Sequence, residues 1–324
     1  MQETRAAEPT SLPKHQMDIP TAGWPRIVGR AAHKFRTDHV TDQAAALTYY
    51  GVLALFPGIL VLVSLLGLFG KDKVATVLAN VDQLAPGGVR TFLNSVVEQT
   101  QGRPGPAGVA AVVGTAFALW SASGYVAAFM RTSNQIYGVE EGRPIWQTAP
   151  VRLAVTVATV LMLLLSALLV VLTGPVARQV GHALGIGDTA VTVWDIAKWP
   201  VLMFVVSLMF SLLYWACPNV KQQGFRWITP GGLVAVVIWL VASTLFGVYV
   251  AHFGSYNQTY GALATAIVFL VWLWITNIAI LLGLELNAEA EHARVVRAGL
   301  PEDVEPFVEL RDDRKLSTDG RKSG

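Results

Sequence analysis

Long apolar runs without a charged residue dominate the pattern of this sequence. Each run has 19 to 26 residues, enough for an α-helix to cross a hydrocarbon core about 30 Å thick. Buried helices of a large soluble protein would need polar faces, which these runs lack. The pattern therefore predicts an all-α, polytopic bundle of six transmembrane helices, at about residues 44–69, 105–130, 153–174, 199–217, 228–251 and 261–284.

The last run stands out in the pattern, because polar groups mark both of its ends. Gly261–Leu284 contains no charge, and Glu285 follows it directly. The sequence leaves open whether Glu285 lies at the membrane edge or is drawn inside by helix tilt. Before the run we predict a short polar, aromatic loop, which contains Gly254, Ser255, Tyr256, Asn257 and Tyr260.

The flanking segments are polar. Residues 1–23 have no apolar core of the length that a signal peptide needs, and we predict a disordered cytosolic tail. Residues 24–294 form the membrane domain, and residues 295–324 are predicted to be a charged, disordered cytosolic tail. Short interfacial amphipathic helices are expected within residues 70–104 and at residues 24–39, where basic residues flank an apolar stripe typical of a helix on an anionic membrane face.

Composition supports a membrane protein. Of the 324 residues, 53% are hydrophobic and 14% are charged, whereas soluble domains have roughly 25% charged residues. The net charge of +2 gives no indication of a nucleic-acid partner. Cys217 is the single cysteine, which excludes an intramolecular disulfide and a thiolate metal site.

The distribution of basic residues predicts the orientation. Of the 24 Lys and Arg residues, 18 lie in the two tails and in the segments after the second and fourth runs. The positive-inside rule then places both termini in the cytoplasm and the loop before the last run outside.

Candidate functional residues are the polar groups near the membrane edges. Pro57 lies near the middle of the first run, where a proline frees a backbone carbonyl and makes either a hinge or a packing kink. The candidate contacts for a polar pathway or a lipid headgroup are Arg131, Asn134, Tyr137, Glu140, Asn219, Tyr256, Asn257, Tyr260, Glu285 and Asn287.

Glu285, Glu289 and His292 share one helical face, because they stand at i, i+4 and i+7. Carboxylate and imidazole are metal ligands, and Glu289-x-x-His292 is half of a di-iron carboxylate pattern. The second half is missing, and a charged helix end that leaves the membrane has the same spacing. We predict no metal site and no cofactor.

Three stretches resemble the YihY/virulence factor BrkB family of bacterial inner-membrane proteins. They are Asp42–Gly70, Leu119–Pro144 and, most specifically, Phe253–Glu291, which combines Phe-Gly-Ser-Tyr-Asn with Tyr-Gly and a closing Glu-Leu-Asn-Ala-Glu. The similarity extends from Trp24 to Arg294. A basic residue often follows the Trp-Ser-Ala-Ser element in this family, whereas Gly124 follows it here.

The resemblance implies six spans in the inner (cytoplasmic) membrane and a role in the cell envelope, with lipid export in some members. An older family name, ribonuclease BN, implies a nuclease. The six histidines are scattered and form no His-x-His-x-Asp-His cluster, which argues against a metal nuclease.

Two functions remain open at the level of the sequence. The first is transport or flipping of a lipid or other amphiphile, driven by a gradient or a partner because the chain has no P-loop. The second is a non-transporting scaffold for envelope-assembly proteins. We expect no enzyme, since there is no HExxH motif or carboxylate pair inside a span. Expected partners are membrane lipids, with a homo-oligomer or envelope-assembly proteins as alternatives, and no nucleic acid.

Overall fold

The computed structural model describes residues 23–67, 107–171, 188–222, 225, 227–252, 256–299, 301 and 306–316. These residues confirm the all-α prediction, since they contain no strand and only an isolated antiparallel bridge between Val220 and Leu310. The described helices are α1 (Trp24–Thr37), α2 (Val40–Gly67), α3 (Ala107–Ile136), α4 (Ile145–Val171), α5 (Asp188–Ala216), α6 (Pro230–His252) and α7 (Tyr256–Arg297).

Each predicted span falls on one of the helices α2 to α7. Where side chains are described, four stretches are long and apolar enough to cross a membrane. Parts of α2 and α3 lie outside the residues whose side chains are described, so the count of six spans stays a prediction. The four stretches are Ile145–Val170, Val191–Ala216, Pro230–Val250 and Ala266–Arg297.

Helices α2 to α7 pack in chain order, and the ring closes where α7 contacts α2. Helix α7 also contacts α3, and α1 packs mainly on α7. Many outward side chains are large and apolar, among them Leu161, Leu240 and Leu245. Such a continuous apolar surface is expected to face lipid and not water.

One end of the bundle has most of the described polar contacts. Helices α2, α4 and α6 begin there, and α3, α5 and α7 end there. We call this region, residues 24–43, 131–146, 214–231, 284–299 and 306–316, the polar end. The segments that join the helices at the opposite end, including the amphipathic helices predicted within 70–104, lie outside the described residues.

The contact between α6 and α7 is close because two glycines meet there. A Cβ atom on Gly231 would overlap the backbone carbonyl oxygen of Gly283. Beside them, Asn287 caps the start of α6: its side-chain oxygen accepts a hydrogen bond from the Gly231 amide (2.9 Å), and its amide group donates to Thr229 Oγ1 (3.0 Å). Small residues at such positions let two helices approach closely.

Two sequence predictions about the chain outside the spans were wrong. The loop predicted before the last run is partly helical, since α7 begins at Tyr256 and includes Asn257 and Tyr260. Polar residues suit a first helical turn, because its free amide groups need hydrogen-bond acceptors. The C-terminal tail is partly ordered, because Phe307 is buried and Leu310 pairs with Val220.

Helix α1 is amphipathic as predicted, but its apolar face packs on protein. Ile27 and Ala31 are buried against Leu286 and Ala290 of α7. The same side of α1 places two basic residues over a carboxylate of α7, as described below. The partner of this face is therefore α7, and the predicted placement on a membrane face does not describe it.

Candidate functional site

Arg143 organises the polar end between α3 and α5. Its side chain is 2% exposed, and it makes two hydrogen bonds of 2.7 Å with the two carboxylate oxygens of Glu141. Its Nη2 also donates to the carbonyl oxygen of Cys217 at 2.7 Å. From the other side, Arg311 donates to the carbonyl oxygen of Trp215 at 2.7 Å. Two guanidinium groups thus satisfy the free carbonyls at the end of α5 and oppose the negative end of its dipole.

Two candidate asparagines connect this arginine network to the C-terminal segment. Asn134 donates to Glu141 Oε2 (3.0 Å) and accepts from the Asn219 amide (2.7 Å). The Asn219 side chain bonds the backbone of Asp312 in both directions and donates to the carbonyl oxygen of Glu140. Both asparagines are buried. Their polar atoms are therefore occupied by protein groups, as expected for buried amides.

The electrostatics of this end follow from the arginines and from burial. Burial raises the pKa of Glu141, but the hydrogen bonds and charge of Arg143 outweigh it and hold this pKa below its usual value. The side chain of Arg314 lowers the pKa of Asp312 to about 2. Burial raises the pKa of Tyr137, which packs against Phe307 and stays neutral. Arg311 has a lowered pKa because of burial and the nearby charge of Arg143.

Glu285 and Glu289 lie beneath α1. Glu289 is 1% exposed and pairs with Arg30 (2.8 Å) and Lys34 (3.8 Å). Arg30 also contacts His292 Nδ1, and the His292 ring stacks on Phe307. Glu285 is fully buried, and neither of its carboxyl oxygens has a hydrogen-bond partner among the described residues. Glu285 is thus enclosed by protein, and its depth relative to the membrane edge stays a prediction.

The shared face of Glu285, Glu289 and His292 is thus occupied by cations of α1. Among the described residues, no group of three or more His, Cys, Asp and Glu side chains is placed to hold a metal ion. The guanidinium of Arg30 and the ammonium of Lys34 supply the positive charge that these groups face.

Removing the charge of Glu289 is expected to release α1. The Glu289→Gln variant keeps the side-chain shape but removes the carboxylate that Arg30 contacts at 2.8 Å and Lys34 at 3.8 Å. We expect amide hydrogen exchange in Trp24–Thr37 to rise on the order of tenfold, because loss of one partner of a buried pair leaves the other uncompensated. The control is Arg36→Gln on the exposed side of α1, which should leave exchange unchanged. Equal exchange in both variants would contradict this role.

A buried polar chain connects α2, α3 and α7, and the sequence analysis missed it. Tyr125 Oη donates to Asn277 Oδ1 (2.8 Å), and Asn277 Nδ2 donates to Thr48 Oγ1 (3.1 Å). Asn277 is 1% exposed and lies inside the apolar stretch Ala266–Arg297. An Asn in such a stretch could have been singled out, because intramembrane polar groups are costly unless they find partners.

Arg131 lies apart from these networks, on an outward strip of α3. The exposed or half-buried positions of this helix recur every three or four residues, and we call them the α3 strip: Phe117, Trp120, Gly124, Ala127, Arg131 and Gln135. The Arg131 guanidinium lies 5.5 Å from the Tyr50 ring of α2. Of the candidates with described side chains, Arg131 and Glu140 are the exposed ones.

The same strip receives a second cation, from α4. Arg152 Nε donates to Ser123 Oγ (2.6 Å), its Nη2 donates to the carbonyl oxygen of Trp120 (3.3 Å), and its guanidinium lies 4.7 Å from the Trp120 ring. Arg152 is seven residues into α4, inside the apolar stretch Ile145–Val170. A basic residue therefore reaches the Trp-Ser-Ala-Ser element, from a neighbouring helix and not from position 124.

Several other candidates are placed only in part. Pro57 lies within the continuous helix α2, and its hinge role stays a prediction. The side chains of Tyr256, Asn257 and Tyr260 lie outside the described residues. Glu285 and Asn287 belong to the α7 contacts with α1 and α6. The residues Asn134, Glu140 and Asn219 belong to the Arg143 network, Tyr137 packs on Phe307, and Arg131 lies on the α3 strip. The structure thus divides the candidates into three groups that do not form one continuous site.

Comparisons with known proteins agree with this membrane architecture. The chain is 32% identical over 247 residues to a protein named ribonuclease-like protein YfkH of Bacillus subtilis, covering 76% of this chain and 88% of YfkH. A UPF0761 membrane protein of Pseudomonas aeruginosa is 29% identical, with 82% of this chain covered, and the match spans 63% of that relative's length. One from Pseudoalteromonas translucida is 27% identical over 87% of this chain and 88% of its own.

No solved structure matches the chain. The family model described as virulence factor BrkB matches residues 31–306, which include every described helix from α2 to α7 and the second half of α1. The protein is therefore a membrane protein of the virulence factor BrkB family.

Proposed function

We propose that this protein spans the cell membrane six times, with both termini in the cytoplasm, and moves or flips a lipid or another amphiphile. The observation that carries the proposal is the α3 strip. It places Arg131 and Arg152 among outward apolar side chains such as Trp120 and Phe117. The path of an amphiphile needs an apolar surface for the chains and polar groups for the headgroup. A cation within an apolar layer is energetically costly, and such cations usually have a function.

The buried polar chain supports the same proposal. The chain lies just inside the contact between α2 and α3 and consists of Tyr125, Asn277 and Thr48. Two residues without side chains, Gly51 and Gly124, lie along the same contact. Separation of these two helices would expose hydroxyl and amide groups inside the apolar layer, on the side of the polar end. A headgroup that leaves the surface would then meet hydrogen-bonding partners on its way.

The scaffold alternative relies on the charged C-terminal tail. Arg311 and Lys315 of this tail bond the protein's own bundle, through the carbonyl oxygens of Trp215 and Gly142. A tail used in this way has less of its surface available to a partner. We do not extend the ribonuclease-like name of YfkH to this chain, because its described histidines lie on separate elements and no metal-binding group occurs among the described residues.

Transport is tested with the full chain in liposomes that contain a fluorescent phospholipid. We expect the protein to make inner-leaflet label accessible to a membrane-impermeant quencher. The variant without residues 317–324 should keep this activity, since residues 306–316 provide the contacts with the bundle. Protein-free liposomes and liposomes with an unrelated six-span protein set the background. Absence of transfer with zwitterionic and anionic labels would contradict transport and favour the scaffold.

A further inference from the structure

Arg131 of the α3 strip and Arg152, which reaches the strip from α4, lack a carboxylate partner. Neither Arg131 nor Arg152 forms an ion pair within the described part of the chain, whereas Arg143, Arg30 and Arg294 all do. The Arg131 guanidinium lies over the Tyr50 ring and the Arg152 guanidinium over the Trp120 ring, so both cations lie along the same strip. Two cations along one strip without a carboxylate partner make its net charge positive, which attracts an anionic group.

The guanidinium of Arg152 is held in place, but not all of its nitrogens donate a hydrogen bond. Ser123 and the carbonyl oxygen of Trp120 occupy Nε and Nη2, and the Trp120 ring covers one face. Within the described residues Nη1 makes no hydrogen bond, and neither does any guanidinium nitrogen of Arg131. Guanidinium donors suit a phosphate, which they bind with strong, charge-assisted hydrogen bonds.

The remainder of the strip is apolar. Trp120 is 56% exposed and Phe117 is 72% exposed. Phe117 lies 14 residues from Arg131, or roughly 21 Å along the helix. Between Trp120 and Arg131 the strip has only small residues, Gly124 and Ala127, which form a shallow depression. The nearest atom to a Cβ on Gly124 would be 3.9 Å away, on Tyr50.

We infer that the α3 strip binds an anionic phospholipid, with its phosphate between Arg131 and Arg152 and its acyl chains along Trp120 and Phe117. Arg131 lies nearer the polar end and meets the phosphate first, and Arg152 draws it into the apolar layer. This inference names the lipid class of the proposed function and rests on it for the path, but the binding itself is measurable without transport.

The test measures lipid retention by native mass spectrometry of the full chain, released from nanodiscs that contain equal amounts of phosphatidylglycerol and phosphatidylcholine. We expect the wild-type protein to retain phosphatidylglycerol about tenfold over phosphatidylcholine, and the Arg131→Gln/Arg152→Gln variant to retain both equally. The matched control is Arg26→Gln/Arg36→Gln, which removes the same charge from exposed positions of α1 and should keep the preference.

Folding of each variant is checked by thermal unfolding, because Arg152 also joins α4 to α3. Arg131 makes no hydrogen bond, so Arg131→Gln alone should fold normally and still lower the preference severalfold. Equal retention of the two lipids by the wild type would overturn the inference. So would an equal loss in the α1 control, or displacement of the lipid by inorganic phosphate alone.

Binding and transport can fail separately. A chain that retains phosphatidylglycerol through Arg131 and Arg152 but transfers no labelled lipid contradicts the proposed function and supports the site. A chain that transfers both lipids equally, with or without the two arginines, supports transport and overturns the site.

Discussion

Alanine at Gly231 or Gly283 is expected to destabilise the bundle strongly. A Cβ on Gly283 would lie 2.6 Å from Tyr214 Oη and 2.7 Å from Ala235 Cβ, and it would overlap the carbonyl oxygen of Gly231. Because two of these three obstacles are backbone or Cβ atoms, α6 and α7 would have to move apart. We expect the free energy of unfolding to fall by about 3 kcal/mol for either variant. The measurement is denaturant unfolding in mixed micelles.

Gly247→Ala is the matched control on α6. A Cβ there meets no atom within 4 Å, so the substitution removes only the flexibility of glycine. We expect an effect of opposite sign, a gain of roughly 0.5–1 kcal/mol. Equal effects at Gly231 and Gly247 would show that the close contact between α6 and α7 does not limit stability.

Replacement of Arg143 by methionine is expected to have an effect of comparable size at the other side of the polar end. The substitution keeps most of the volume but leaves Glu141 and the carbonyl of Cys217 without their donor. We expect a loss of about 3–5 kcal/mol, as for other buried pairs that lose one member. Lys221→Met removes an exposed pair with Glu309 and is the control, with an expected loss of about 0–1 kcal/mol.

The pH dependence of the free energy of unfolding tests whether the interaction that Arg143→Met removes is the one with Glu141. The pKa of Glu141 lies below its ordinary value of 4.5 in the folded protein, so the pair contributes fully above that value. The contribution is lost as the pH falls through the lowered pKa. In Arg143→Met this dependence should disappear. An Arg143→Met variant as stable as wild type would show that other donors satisfy the end of α5.

The fold class and the positions of the helices could be predicted from the sequence. In a run such as Gly261–Leu284, a helix pairs the backbone polar groups with one another, and lipid covers the apolar side chains. A transmembrane helix is therefore the stable structure for this run. The ends of the helices were harder to predict. Composition does not show that Tyr256 begins α7, because polar residues suit a loop and a first helical turn equally.

The polar residues illustrate where prediction from the sequence stopped. Asn134, Asn219 and Asn287 were recognised as candidates by type and position alone. Their hydrogen-bond partners come from segments up to 93 residues away in sequence, as between Asn219 and Asp312. No local pattern carries that information. Asn277 was missed because it lies inside an apolar run and its partners are on two other helices.

The sequence by itself determined that this is a helical membrane protein, because hydrophobic length and the lack of charge act residue by residue along each span. Only the tertiary structure decided which charges are satisfied. Glu289 and Arg143 are neutralised by partners that packing brings to them, whereas Arg131 and Arg152 lie along the α3 strip without an ion-pair partner among the described residues. Pairing depends on distances between helices, and a one-dimensional pattern does not contain those distances.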